Sequence, residues 1–84
     1  MEMRKELRDI TLRRMEEYVS SIADAEKSAG GFRGADWELE LTELPPVAKG
    51  AMTMARIDFV LTGSHSSVER VWKSLEYKLL RGGA

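Results

Sequence analysis

The chain has 84 residues and a net charge of −1, with 43% hydrophobic and 32% charged residues. That is enough for one domain with one small core, and the near-balance of charge gives no global pull toward nucleic acid, an anionic membrane or an acidic substrate. With no cysteine there are no disulfides, zinc–thiolate centres or thiol nucleophiles, and the composition fits a reducing compartment.

The opening segment, Met1-Glu2-Met3-Arg4-Lys5-Glu6, alternates charge and lacks the apolar centre of a signal peptide. No stretch approaches the ~18–20 apolar residues of a membrane span. The expectation is a cytoplasmic protein that does not touch membrane.

Residues 3–29 read as one long amphipathic helix. Leu7, Ile10, Met15, Tyr18, Val19, Ile22, Ala25 and Ala29 fall on one side at about 100° per residue, and acidic and basic residues fall on the other. Gly30-Gly31 reads as its C-cap. Trp37-Glu38-Leu39-Glu40-Leu41-Thr42 then alternates strictly, the mark of a strand with one buried face, and predicts a strand over about 36–43. A second strand is expected over about 53–62, with Ala55, Ile57, Phe59 and Leu61 inward and Met54, Arg56, Asp58 and Val60 outward. Between them Pro45-Pro46 cannot donate ladder hydrogen bonds, so residues 43–50 read as a wide loop. Ser66-Ser67-Val68-Glu69 has the form of a capping box that opens a helix over about 67–81, carried by Val68, Val71, Trp72, Leu75 and Leu79.

These elements predict a single two-layer α+β domain over 1–84 in the order helix–strand–strand–helix. This αββα, half-ferredoxin-like arrangement holds Trp37, Leu39, Leu41, Ile57, Phe59 and Leu61 against Leu7, Ile10, Tyr18, Ile22, Val71, Trp72, Leu75 and Leu79. A lone antiparallel hairpin leaves two open edges, so pairing with a second copy into a four-stranded sheet is the expected assembly.

Site chemistry is sparse. Thr62-Gly63-Ser64-His65-Ser66-Ser67 joins a strand to a helix N-terminus, where free amides can hold an anion, but no phosphate-loop Lys-Ser/Thr pair follows and the capping box uses the same donors. His65 is the only histidine, and no motif frames a serine nucleophile beside it. Neither a catalytic residue, a metal ligand nor a cofactor is expected. Arg4, Arg8, Arg13 and Arg14 lie along the first expected helix, where they read either as phosphate contacts or as cationic stems flanking an apolar stripe. The tail Leu80-Arg81-Gly82-Gly83 resembles the di-glycine end of ubiquitin-like modifiers. Here it follows a helix, and Ala84 would have to be removed, so a helix C-cap is the reading adopted.

Ile57-Asp58-Phe59-Val60-Leu61-Thr62-Gly63-Ser64 leading into Val71-Trp72-Lys73-Ser74-Leu75-Glu76 resembles the periplasmic domains of inner-membrane platform proteins in type II secretion and type IV pilus systems. That resemblance implies a ferredoxin-like, dimerising domain without catalytic residues. The sparse site chemistry, the balanced charge and the incomplete two-stranded sheet lead instead to the function expected, a non-enzymatic protein-interaction module, homodimeric or bound to another protein, with Met54, Arg56 and Val60 as its contact face. The alternatives are a nucleic-acid-associated protein using the four arginines, and a phage or mobile-element inhibitor that blocks another machine.

Overall fold

The alternation over residues 53–62 sets the middle of the sheet. In the computed structural model, which describes residues 1–82, these residues belong to a strand at Met52–Gly63 whose Ile57, Phe59 and Leu61 are fully buried. The strand Trp37–Lys49 pairs with it antiparallel, setting Leu39 opposite Leu61 and Leu41 opposite Phe59. The wide loop expected at 43–50 does not form. The first strand runs through Pro45-Pro46 on a register shift between Leu44 and Val47, and the chain reverses at Gly50-Ala51, with Gly50 at φ +64°. Such a bulge leaves residues without ladder partners, which is where proline can stand in a strand. Arg56 Nε donates to the Pro45 carbonyl at 2.9 Å and ties the bulge down.

The long helix expected at 3–29 is corrected most. Its first part is a strand, Glu2–Arg8, in register with the central strand so that Met3 faces Leu61 and Leu7 faces Ile57. Asp9, at φ +62°, turns the chain, and Thr11 caps a short helix, Leu12–Ser20, by accepting the Arg14 N–H at 3.2 Å. A small hairpin follows, Glu26–Ser28 with Gly31–Gly34, so Gly30 lies in its turn and Gly31 opens its second strand, rather than both ending a helix. A Cβ on Gly31 would collide with the Leu39 carbonyl oxygen of the neighbouring strand, which explains glycine there.

The last helix is His65–Gly82, close to its expected span but capped two residues earlier. Ser64 Oγ accepts the Ser67 N–H at 3.3 Å and the Ser64 carbonyl accepts the Val68 N–H at 2.9 Å, so Ser64 rather than Ser66 is the cap. In chain order the elements are β1 (Glu2–Arg8), α1 (Leu12–Ser20), β2 (Glu26–Ser28), β3 (Gly31–Gly34), β4 (Trp37–Lys49), β5 (Met52–Gly63) and α2 (His65–Gly82). The five strands form one antiparallel sheet, ordered β1-β5-β4-β3-β2. The protein is thus α+β with a five-stranded sheet and two helices, in place of the αββα arrangement.

Both helices pack on the same face of the sheet. Met15 and Val19 of α1 and Val68, Val71 and Leu75 of α2 are fully buried there with Phe59 and Leu39. Phe32 joins this core from β3, while Leu7, Tyr18, Trp72 and Leu79 stand at its margins. Trp72 meets Phe59 edge-on, ring centroids 5.4 Å apart, and the Lys5 ammonium stands over its ring, 5.1 Å from the centroid. Phe59→Ala is expected to cost about 3–5 kcal/mol and Trp72→Ala about 1–3, because the second ring is already partly wet. Urea midpoints at constant m-value check the order, and a larger loss for Trp72→Ala would put the centre of the core elsewhere.

Candidate functional site

Because α1 and α2 share one face, the other face of the sheet has no helix over it. Met54, Arg56 and Val60 all lie on that uncovered face, as do Arg4, Glu6 and Arg8 of β1 and Glu38, Glu40 and Thr42 of β4, since directly paired residues share a face. They do not form one patch. Met54 is opposite Val47 on the ribbon beyond the bulge, about 20 Å along the strand from Val60. Between them run ion pairs: Arg56 to Glu6 at 3.2 Å, Arg8 to Glu6 at 2.6 Å and Arg4 to Asp58 at 3.4 Å. Glu6 is held below the usual carboxylate range mainly by the Arg8 hydrogen bond, with the charges of Arg8 and Arg56 acting the same way against partial desolvation.

Val60 has different surroundings. It lies opposite Arg4 on one side and Glu40 on the other, and it lines a shallow cavity of about 220 Å³ with Glu2, Ser28, Glu38, Glu40 and Thr62. Glu2, Glu38 and Glu40 make this end of the face acidic. The Met54, Arg56 and Val60 set therefore resolves into an acidic site around Val60 and a separate apolar ribbon tip.

The four arginines do not line one helix. Arg4 and Arg8 are on β1 and engage Asp58 and Glu6, whereas Arg13 and Arg14 are on α1, with Arg13 3.7 Å from Glu17. Arg14 lines a groove of about 290 Å³ with Glu6, Tyr18 and Leu79 at the margin of the core. The basic helix face is lost because the segment that would have carried half of it is a strand. At the Thr62–Ser67 turn, the Ser67 amide is used by Ser64, and the adjoining cavity is lined by Asp36 and Glu38. His65 Nε2 stands 2.9 Å from Glu69 Oε1 in solvent. Among the described residues no three His, Asp or Glu gather as metal ligands, and no helix is long and apolar enough to cross a membrane.

One residue that the sequence reading left on a helix surface gathers several others. Asp24 Oδ2 accepts the Trp37 indole N–H at 2.9 Å and the Ala35 N–H at 3.1 Å, and Arg70 of α2 reaches both of its oxygens at 3.3 and 3.4 Å. It thereby ties the turn between β3 and β4 to α2. The Trp37 hydrogen bond chiefly brings its pKa down from 3.8 to about 2, against a desolvation effect and with help from Arg70 and the Ala35 amide. No local pattern marks Asp24, because its partners lie in three other segments.

Geometry thus defines a small α+β protein with a bare, charged sheet face and a buried face sealed by two helices. The archaeal MoaD-like protein family model matches residues 3–84, and the chain belongs to that family. The resemblance to secretion and pilus platform domains is thereby corrected: it rested on a strand–Gly–helix pattern that many α+β proteins share, whereas the family match spans nearly the whole chain. No curated protein matches the chain. The resemblance to a di-glycine tail falls partly outside the described residues: Gly82 closes α2, and Gly83 lies beyond them.

Asp24 also sets an acid limit. Its folded pKa of about 2 lies below the ordinary 3.8, so its stabilisation is complete above 3.8 and is lost as pH falls toward 2. Melting temperatures of the native protein should fall over that window, and Asp24→Asn should lower the plateau and flatten the fall. An unchanged slope in Asp24→Asn would assign the acid sensitivity to other carboxylates.

Proposed function

We propose that this protein is a non-enzymatic interaction module of the MoaD-like family, docking a protein partner on the uncovered sheet face around Val60. The observation that carries the reading is that both helices lie on one face of the sheet, leaving the other face bare with an acidic rim around one half-buried valine. MoaD-like proteins generally interact with other proteins, which supports the same reading. The partner surface that fits is basic, with an apolar side chain to rest on Val60, because Glu2, Glu38 and Glu40 gather around that cavity. The same acidic rim repels phosphate, which weighs against nucleic acid at this face.

Small MoaD-like proteins act as sulfur carriers, and carrying is the second reading, prompted by Gly82-Gly83. One experiment separates the two. A photo-crosslinking residue is placed at Val60, and at Lys78 as a control, in the host cell, and the native protein is weighed by intact mass spectrometry. Docking predicts protein adducts from Val60 that Glu38→Lys with Glu40→Lys reduces about tenfold, with few from Lys78. Carrying predicts a mass change of one sulfur replacing one oxygen at a processed C-terminus. Adducts equal at both positions, insensitive to the lysine substitutions, would overturn docking at this face.

A further inference from the structure

β1 is an edge strand. It pairs with β5 along its whole length and with no other strand, so one side of Glu2–Arg8 is an open edge. The phase of its hydrogen bonds decides which amides that edge presents. Met1 and Gly63 exchange bonds of 2.8 and 3.1 Å, and the Asp9 N–H reaches the Ala55 carbonyl at 2.8 Å. Odd-numbered residues therefore bond to β5, and by the alternation of an antiparallel ladder Glu2, Arg4, Glu6 and Arg8 turn their N–H and C=O groups outward. The same four residues carry their side chains on the uncovered sheet face, in the order negative, positive, negative, positive.

Two copies of this edge can meet about a two-fold axis only in antiparallel registers that set even residues opposite even residues, since only those amides are available. Three such registers overlap well. Centred on Arg4, the strand sets Arg4 against itself and Glu2 against Glu6. Centred on Glu6, it sets Glu6 against itself and Arg4 against Arg8. Centred on Lys5, it sets Glu2 against Arg8 and Arg4 against Glu6, and on the helix side Met3 meets Leu7. Opposite charges across a pair attract and like charges repel, so one register is favoured and its neighbours are penalised.

The geometry points to a homodimer formed by antiparallel pairing of β1 with β1 about Lys5, giving one ten-stranded sheet with all helices on one face. Lys5 itself lies on the axis and faces the helix side. A charge turned inward on an edge strand ordinarily guards against pairing. Here its ammonium is drawn over the Trp72 ring of its own chain, 5.1 Å from the centroid, and so away from its twin. Arg4, with 66% of its side chain exposed, has room to meet Glu6 of the other copy while its own Asp58 stays 3.4 Å away. This inference deepens the interaction-module reading by naming a second copy as one partner. It uses the β1 edge and not Val60, so a monomer would leave docking at Val60 standing, and a dimer without crosslinks at Val60 would leave the edge standing.

The test is solution molar mass by light scattering over a concentration series, for the native chain and for Arg4→Glu and Glu6→Arg. Native protein is expected at the mass of two chains. Each variant alone places like charges across the axis and should raise the dimer dissociation constant about tenfold or more. Mixed in equal amounts, the two variants again bring opposite charges together at both positions, and the heterodimer should form with near-native affinity. Circular dichroism of each variant verifies folding, and the same exchange made with Glu2→Arg and Arg8→Glu supplies a second pair should either first variant unfold. A native chain that stays monomeric, or a dimer that neither variant weakens, or variants whose mixture fails to associate, would each overturn the β1 pairing.

Discussion

Every part of this protein takes its position from the alternation of β5. Ile57, Phe59 and Leu61 enter the core on one side of that strand, and Asp58, Val60 and Thr62 leave on the other. β1 and β4 read their registers from it on either flank, and both helices close over the apolar side. A slip of one residue would turn Phe59 to solvent and Asp58 into the core, so register is fixed by burial rather than by hydrogen bonding alone. The charge of the bare face follows from the same constraint: with Ile57, Phe59 and Leu61 committed to the helices, what remains outside along this part of β5 is mostly polar and charged around Val60.

A second tie holds the far side of the sheet. β2 and β3 are short and touch the core mainly through Phe32, so they contribute little burial of their own. Asp24 compensates by joining the β3–β4 turn, the Trp37 indole and α2 through Arg70. The carboxylate is still partly exposed, with 30% of its side chain accessible, so it holds geometry more than it supplies stability.

Much of the fold was legible where one period ruled. Trp37, Leu39 and Leu41, the run through Leu61, and the helix carried by Val71 and Leu75 are found where alternation and three-to-four spacing put them. The first strand was not legible, because Met3, Leu7 and Ile10 satisfy a helical spacing and Lys5 interrupts the apolar alternation that would have marked a strand. Pairing with β5 decided between them, and no window of the sequence contains that contact. Pro45-Pro46 misled for a related reason: a proline forbids a ladder bond, and a bulge on an open strand edge is a place where none is needed. At the surface, the pattern identified the outward residues of β5, but not that Met54 and Val60 stand in different surroundings. Nor could it show that the four arginines divide between β1 and α1. Both facts depend on the strand order.

The proline pair has a consequence for how far such a sheet can grow. Beyond Leu41 the outer side of β4 has no neighbouring strand, and a long unpaired strand is a template for fibres. Pro45 and Pro46 deny that template two successive amides, and β2, at three residues, is too short to offer another. For strand-to-strand pairing, the described residues leave one long open edge, that of β1. A building block with a valency of one ends every chain it starts, and that arithmetic separates a protein which stays dispersed from one that threads into filaments.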